Sequence, residues 1–179
     1  LERLQIDVRD PKFGWSTLCY AASYGQIELI ELLLSLKADP EFVTNSGERP
    51  IHFAAKSGRG AAIRILHELA NLDVEVEDNR GWTPLIWAAI GGHEDATSAL
   101  LVARADANRA DKYEGRTHLH WAAQCGKLDV LRILVGQGQV DISIKDHKGK
   151  FAEDLARQQV HVLGWLAAAE HLQQRLLRH

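Results

Sequence analysis

Apolar and polar positions along this chain follow two alternating helical patterns separated by short polar stretches. Segments such as Leu18-Cys19-Tyr20-Ala21-Ala22, Leu85-Ile86-Trp87-Ala88-Ala89 and Leu119-His120-Trp121-Ala122-Ala123 are apolar almost throughout, as a helix enclosed on several sides would be. Each is followed by apolar residues at three- and four-residue spacing, as in Ile27, Ile30, Leu33 and Leu34 or Val130, Ile133 and Leu134, which predicts an amphipathic second helix. Stretches such as Asp73-Val74-Glu75-Val76 and Asp141-Ile142-Ser143-Ile144 come next. Their composition predicts an extended segment that leads into a hairpin-like turn.

This pattern recurs with a fixed period. Gly14, Gly47, Gly81, Gly115 and Gly149 are separated by 33, 34, 34 and 34 residues, and Gly25, Gly58, Gly92 and Gly126 each follow eleven residues after one of them. The text between the glycines repeats too: GWSTLCYAASYG, GERPIHFAAKSG, GWTPLIWAAIGG and GRTHLHWAAQCG. Thr83 and Thr117 are placed to cap the first helix, and Pro50 and Pro84 suit its first turn, where no N–H is needed. The paired alanines let neighbouring helices approach, and the glycine that follows permits the positive φ that ends a helix.

These units resemble the ankyrin signature T-P-L-H-x-A in its period of about 33 residues. The third copy keeps Thr83-Pro84-Leu85, the second Pro50-Ile51-His52, and the fourth Thr117, Leu119 and His120. The resemblance implies an all-α repeat solenoid of helix-turn-helix units joined by hairpin loops, forming one domain over residues 1–179 that serves protein–protein interaction. Its expected units are a tail of a preceding repeat (1–13), repeats at 14–46, 47–80, 81–114 and 115–148, and a C-terminal capping repeat at 149–179. Asp7-Val8 echoes Asp73-Val74, so the chain is expected to begin inside a repeat, with more chain before it. The fifth unit is degenerate, with Glu153 where the others have Leu or Ile, and it ends in the polar, basic run Gln173-Gln174-Arg175-Leu176-Leu177-Arg178-His179. A terminal repeat needs such a face because nothing stacks beyond it.

Composition narrows the function further. A net charge of −3 over 179 residues lacks the basic footprint of a nucleic-acid binder. No apolar run reaches the roughly 18 residues of a membrane span, so direct membrane insertion is not expected. There is no signal peptide pattern, and two cysteines are too few for a disulfide framework, which points to an intracellular setting, cytoplasmic or on the cytosolic side of a membrane. The chain contains no methionine and reads as a fragment of something longer.

Nine histidines raise the question of a metal, but His118 and His120 are two residues apart and do not share a helix face. His52 and His120 occupy the histidine slot of the ankyrin motif, where the ring is expected to bond nearby backbone. Cys19 and Cys125 lie three repeats apart, some 25–30 Å at the usual helix spacing of about 8–10 Å, beyond disulfide reach. No nucleophile–base pair and no phosphate-cradling loop stand out. The expectation is therefore no catalytic residue, no metal, no cofactor and no enzyme activity in this fragment.

Two surfaces are candidates for a partner protein. At about 100° per residue, Leu18, Ala21 and Ala22 share one helix face and the position two after the leucine points to the opposite side. That position holds Tyr20, Phe53, Trp87 and Trp121. One reading makes these rings a ladder along a concave groove suited to an extended segment. The other makes them filling for the crease between the first helix and its neighbours. The second surface is the hairpin tips: Lys12, Phe13 and Trp15; Glu48 and Arg49; Asn79, Arg80 and Trp82; Lys112, Tyr113 and Arg116; and His147, Lys148 and Lys150. Their charged members also read as solvated loop decoration, but Trp15, Trp82 and Tyr113 beside Arg80 and Arg116 combine aromatics with arginine, a composition enriched at interfaces. Between Asp106 and Gly115 there is one more position than between Asp39 and Gly47 or Asp73 and Gly81, so the loop Ala110 to Glu114 is expected to protrude.

Some details also resemble the cytosolic ankyrin domain of DHHC-type protein S-acyltransferases. They are Asp7-Val8-Arg9, the run Thr83 to Ala89, Asp111-Lys112-Tyr113 before Leu119-His120-Trp121-Ala122, and Asp154-Leu155-Ala156. That resemblance implies a substrate-recruiting module beside membrane helices and a zinc-bound cysteine domain, neither of which lies in this sequence. Three readings follow: a stand-alone or scaffold interaction protein, expected to be a monomer; the recruiting domain of such an acyltransferase; or an ankyrin module of a microbial effector acting in a host cell.

Overall fold

The structure is a computed structural model that describes the backbone of residues 6–136, 140–156 and 159–176, and side chains as far as Ala169. Ten helices are described: α1 (Thr17–Tyr24), α2 (Ile27–Ser35), α3 (Pro50–Lys56), α4 (Gly60–Ala70), α5 (Pro84–Gly91), α6 (Glu94–Val102), α7 (His118–Gln124), α8 (Leu128–Gly136), α9 (Ala152–Leu155) and α10 (Val160–Leu176). They form two rows. α1, α3, α5, α7 and α9 pack in sequence, and α2, α4, α6, α8 and α10 pack in sequence beside them. This is the all-α repeat solenoid that the period predicts.

The first helix of each unit starts where its cap allows. Ser16 and Thr83 accept the N–H of Cys19 and Ile86 through their hydroxyls, and Pro50 and Pro84 open α3 and α5, each device relieving an orphan N–H. At Thr117 the hydroxyl instead lies 2.9 Å from Nδ1 of His120. In the first four units this helix turns its leucine or isoleucine and paired alanines inward: Leu18, Ile51, Leu85 and Leu119 are buried with Ala21, Ala54, Ala88 and Ala122. The core runs as two clusters that share Leu101 at their border. Alanine at the contact keeps the rows close, and one larger residue there would open the stack.

The hairpin glycine is required by conformation and by space together. Gly47 has φ 80°, and a Cβ there would land on the side chain and backbone nitrogen of Asn79 from the next hairpin. Asn79 donates its backbone N–H to Ser46 O and its amide to Asn45 O. His147 does the same work two repeats later, donating N–H to Glu114 O at 2.8 Å with Nδ1 3.0 Å from Tyr113 O. Adjacent hairpins are thus stitched tip to tip.

Three expectations are corrected. The stretches at Asp73 and Asp141 are turns, not extended strands: the aspartate carboxylate accepts the N–H two residues on, in Asp39–Glu41, Asp73–Glu75, Asp106–Asn108 and Asp141–Ser143. A short acidic side chain closing such a turn outcompetes weak β-propensity. Among the described residues the only ladder contact is a bridge between Ala110 and Thr117. The echo between Asp7-Val8 and Asp73-Val74 is misregistered by two. Asp7 accepts the N–H of Asp39 as Glu75 accepts that of Asp106 and Asn108 that of Asp141, so Asp7 is the counterpart of Glu75. Finally, the extra hairpin residue is not peculiar to the fourth unit. Asp10 to Gly14 has the same count as Asp111 to Gly115, and Pro11–Phe13 and Lys112–Glu114 form matching three-residue turns. The fifth unit's first helix is a single turn, Ala152–Leu155, as expected where Glu153 replaces the core leucine. Residues 1–5 and the side chains of the basic run from Gln173 to His179 lie outside the described residues.

Candidate interaction site

The two predicted surfaces are one. Trp15 and Trp82 do not project from the hairpin tips but fold back onto the first helices. The Trp15 ring centroid lies 5.0 Å from Tyr20 and 4.4 Å from Phe53, and that of Trp82 lies 4.8 Å from Trp87 and 5.0 Å from Trp121. Each hairpin tryptophan therefore bridges the ring of its own helix and that of the next repeat, in two blocks separated by Glu48 at the equivalent position of the second unit. Aromatic pairs at these separations add about 0.5–1.5 kcal/mol beyond burial.

Helical periodicity alone overestimates how free these rings are. The wheel turns the ring slot away from the helix core, but the hairpin packs against that side. Phe53 is 2% exposed and so is withdrawn from contact with any partner. Tyr20, Trp15, Trp82, Trp87 and Trp121 are half-buried. Of the remaining predicted contacts, Arg80 and Tyr113 are exposed. Arg116 is buried, which corrects its placement on the surface. Its guanidinium reaches Asp146 at 3.5 Å, Gln124 at 2.8 Å and Glu114 at 2.8 Å, over the Trp121 ring at 5.0 Å. It staples the fourth repeat to the fifth.

An aspartate at the start of the hairpin organises the site. Asp78 accepts the amides of Arg80 and Trp82 on one oxygen and the Trp87 indole N–H at 3.0 Å on the other. Asp111 accepts the amides of Tyr113, Glu114 and Arg116 and the Trp121 indole N–H at 3.0 Å. Asp10 accepts the amides of Lys12, Phe13 and Trp15 and pairs with the Tyr20 hydroxyl. Burial works to raise the Asp10 pKa, but these donors outweigh it and hold it below the usual carboxylate range. Where the ring has no polar atom, at Phe53, the hairpin has Thr44 instead. In the fifth unit Leu155 fills the ring slot, and the spare oxygen of Asp146 takes Arg116. The sequence carried this signal, an acid nine or ten positions before each polar-tipped ring, but it emerges only once hairpin and helix are known to touch.

The rings are flanked by cations. Lys56 Nζ sits 4.3 Å above Trp87 and Arg80 lies 5.3 Å from Trp82 and 5.7 Å from Trp87; Lys12 covers Phe13 at 4.8 Å. Lys56 and the hairpin aspartates Asp10 and Asp78 are the members of the site that sequence reasoning did not select.

The three buried histidines, His52, His118 and His120, are held in hydrogen bonds within the stack. His52 accepts the Arg49 amide on Nδ1, with Nε2 3.3 Å from Trp82 O; His120 is bonded likewise to Thr117 and to Lys150 O. His118 lies between Thr83 Oγ1 and Ala107 O. Desolvation by burial pushes the pKa of His52 and of His118 down to about 4, and that of His120 is lowered for the same leading reason. Cys19 and Cys125 are both free thiols, and burial raises the pKa of each, the opposite of what a reactive thiolate needs. Among the described residues no three acidic, histidine or cysteine side chains are grouped to hold a metal ion, and no helix is long and apolar enough to cross a membrane.

The stacked helix pairs, the histidine bonds and the glycine-closed hairpins define the class. The family model described as ankyrin repeats in three copies matches residues 1–78 and 60–146, and the chain belongs to the ankyrin-repeat family. It is similar to neurogenic locus notch homolog protein 1 of Xenopus tropicalis, at 30% identity over 131 residues that make up 73% of this chain and 5% of that protein. Palmitoyltransferase AKR1 of Lachancea kluyveri is 33% identical over 150 residues, 82% of this chain and 20% of its own. Neurogenic locus notch homolog protein 2 of Homo sapiens is 29% identical over 133 residues, 74% and 5% respectively. The chain thus spans a small part of the length of each of these relatives.

Proposed function

We propose that this chain is a protein-interaction module, without catalysis of its own, that holds a segment of a partner protein along the face where hairpins meet the first helices. It works intracellularly, in the cytoplasm or on the cytosolic side of a membrane, as a monomer and without a cofactor. The observation that carries this reading is the half-buried cluster Trp82, Trp87 and Trp121 with Arg80 exposed over it. Rigid aromatic surface beside arginine binds partners at low entropic cost, and truncating such an anchor commonly removes about 2 kcal/mol or more. Trp87 and Trp121 are poor probes of this, because each also satisfies a hairpin aspartate. Trp82→Ala is the cleaner test. Partner recovery in a pull-down quantified by mass spectrometry should fall at least about tenfold; undiminished recovery with a folded variant, verified by circular dichroism, sinks the proposal.

A second reading makes the module the substrate-recruiting domain of a membrane palmitoyltransferase. The palmitoyltransferase relative supports it, since it aligns with more of this chain than the Notch relatives do. Sequencing onward from residue 179 in the parent gene tests it: four apolar spans with a cysteine-rich loop are expected, and a different downstream domain rejects it.

A further inference from the structure

The hairpin side of the stack carries a charge asymmetry that a net charge of −3 conceals. Its carboxylates turn inward. Glu48, Asp78, Asp111 and Asp146 are buried, Asp10 is spent on three hairpin amides, and Glu114 pairs with Arg116. Its cations turn outward. Lys12, Arg80, Lys112, Lys148 and Lys150 are exposed, and none forms an ion pair with a described residue. The far side exposes both signs, with Glu28, Glu31, Glu68 and Glu94 on the second-row helices and Asp39, Asp73, Asp106 and Asp141 on the turns beyond them, among Lys37, Arg64, Arg104 and Arg132.

On the cationic edge the charges are held beside rings. Lys12 lies over Phe13, Arg80 over Trp82 and Trp87, and Lys56 over Trp87. A cation on an aromatic face is oriented and partly desolvated, so an arriving carboxylate displaces less water from it. Resting on the reading of this face as the interaction surface, we propose that its partner is an acidic peptide segment. The segment's carboxylates meet Lys12, Arg80, Lys112 and Lys148, and its apolar side chains lie against Trp82, Trp87 and Trp121. From Lys12 to Lys148 is four repeat steps, about 40 Å at about 10 Å each, which about twelve extended residues cover. A membrane surface fits less well, since the tryptophans are half-buried and do not project as interfacial anchors would. A nucleic acid fits less well too, since successive bases stack on open, separate ring faces, and here Trp82, Trp87 and Trp121 are half-buried and packed edge to face with one another.

Selection from a displayed library of random peptides of about 12 residues, long enough to span those steps, tests this directly. Peptides enriched on the native chain should carry Asp and Glu around aromatic or aliphatic residues. Arg80→Glu with Lys112→Glu, both at exposed positions, should weaken an enriched acidic peptide about tenfold or more, as expected from losing two exposed charge pairs, and should turn the selection toward Lys and Arg. Enriched peptides without an acidic bias that still require Trp82 overturn this proposal and leave the interaction reading standing. No enrichment over Trp82→Ala overturns both. Sedimentation with phosphatidylserine vesicles that the charge reversal abolishes also overturns it, in favour of a membrane.

Discussion

Trp87 and Asp78 are a matched pair, and repeat two shows the alternative match. There the ring is Phe53 and the hairpin residue is Thr44, whose hydroxyl accepts the Glu48 amide at 3.1 Å. Trp87→Phe alone leaves Asp78 Oδ2 without its indole donor, a loss of about 1–2 kcal/mol. Asp78→Thr alone strands the indole and loosens the hairpin. The double variant restores the pairing that repeat two uses. Urea unfolding of all four forms should therefore give a favourable coupling of about 1 kcal/mol; strictly additive losses refute the pairing. Which residues recur at which slot was readable from the sequence, including every ring in this cluster. What each ring touches was not, because a helical wheel describes one helix and the deciding neighbour is a hairpin packed across it. Phe53 and Arg116 went astray for that reason.

Two classes of helix end can be told apart. The first helices end at glycine, as at Gly25 and Gly92 with φ 69° and 78°, and the sequence marks them plainly. α2, α4 and α6 are instead followed by residues in the same left-handed region that are not glycine: Lys37 at φ 68°, Asn71 at 49° and Arg104 at 67°. Nothing in the residue type announces these, so their conformation was beyond sequence reasoning. Left-handed backbone costs most residues about 1–2 kcal/mol and asparagine less. Lys37→Gly and Arg104→Gly should each stabilise the fold by about 0.5–1 kcal/mol, after allowing for the extra freedom glycine gives the unfolded chain. Asn71→Gly should gain less. Thermal midpoints decide it, and unchanged or lowered midpoints for the lysine and arginine variants count against the strain.

At the scale of the whole stack, the buried histidines make stability depend on acid. His52 and His118 remain neutral in the fold until about pH 4, against an ordinary value of 6.5. Unfolded chains bind those protons first, so stability is intact above pH 6.5 and is lost between 6.5 and 4, by something on the order of 3 kcal/mol per ring. Asp10 and Asp146, whose hydrogen bonds hold them below 3.8 against the opposing pull of burial, subtract further only below that value. Urea midpoints should therefore fall across pH 6.5 to 4, and His118→Pro, which places the residue of Pro50 and Pro84 at that register, should flatten the fall. A midpoint that is level until pH 4 would argue against neutral rings. The repeat period located the buried histidines; their partners, Trp82 O and Lys150 O in the following hairpins for His52 and His120 and Ala107 O for His118, became visible only in three dimensions.

The acceptors of His52 and His120 lie ahead in the chain. His52 waits for the carbonyl of Trp82 and His120 for that of Lys150, each 30 residues later. On a ribosome the histidine emerges well before its acceptor, and at roughly 5–20 residues per second the gap is seconds long. The second and fourth units therefore leave the exit tunnel provisional and are locked only when the next hairpin arrives, so their consolidation trails synthesis by one repeat and travels from the N-terminus toward the C-terminus.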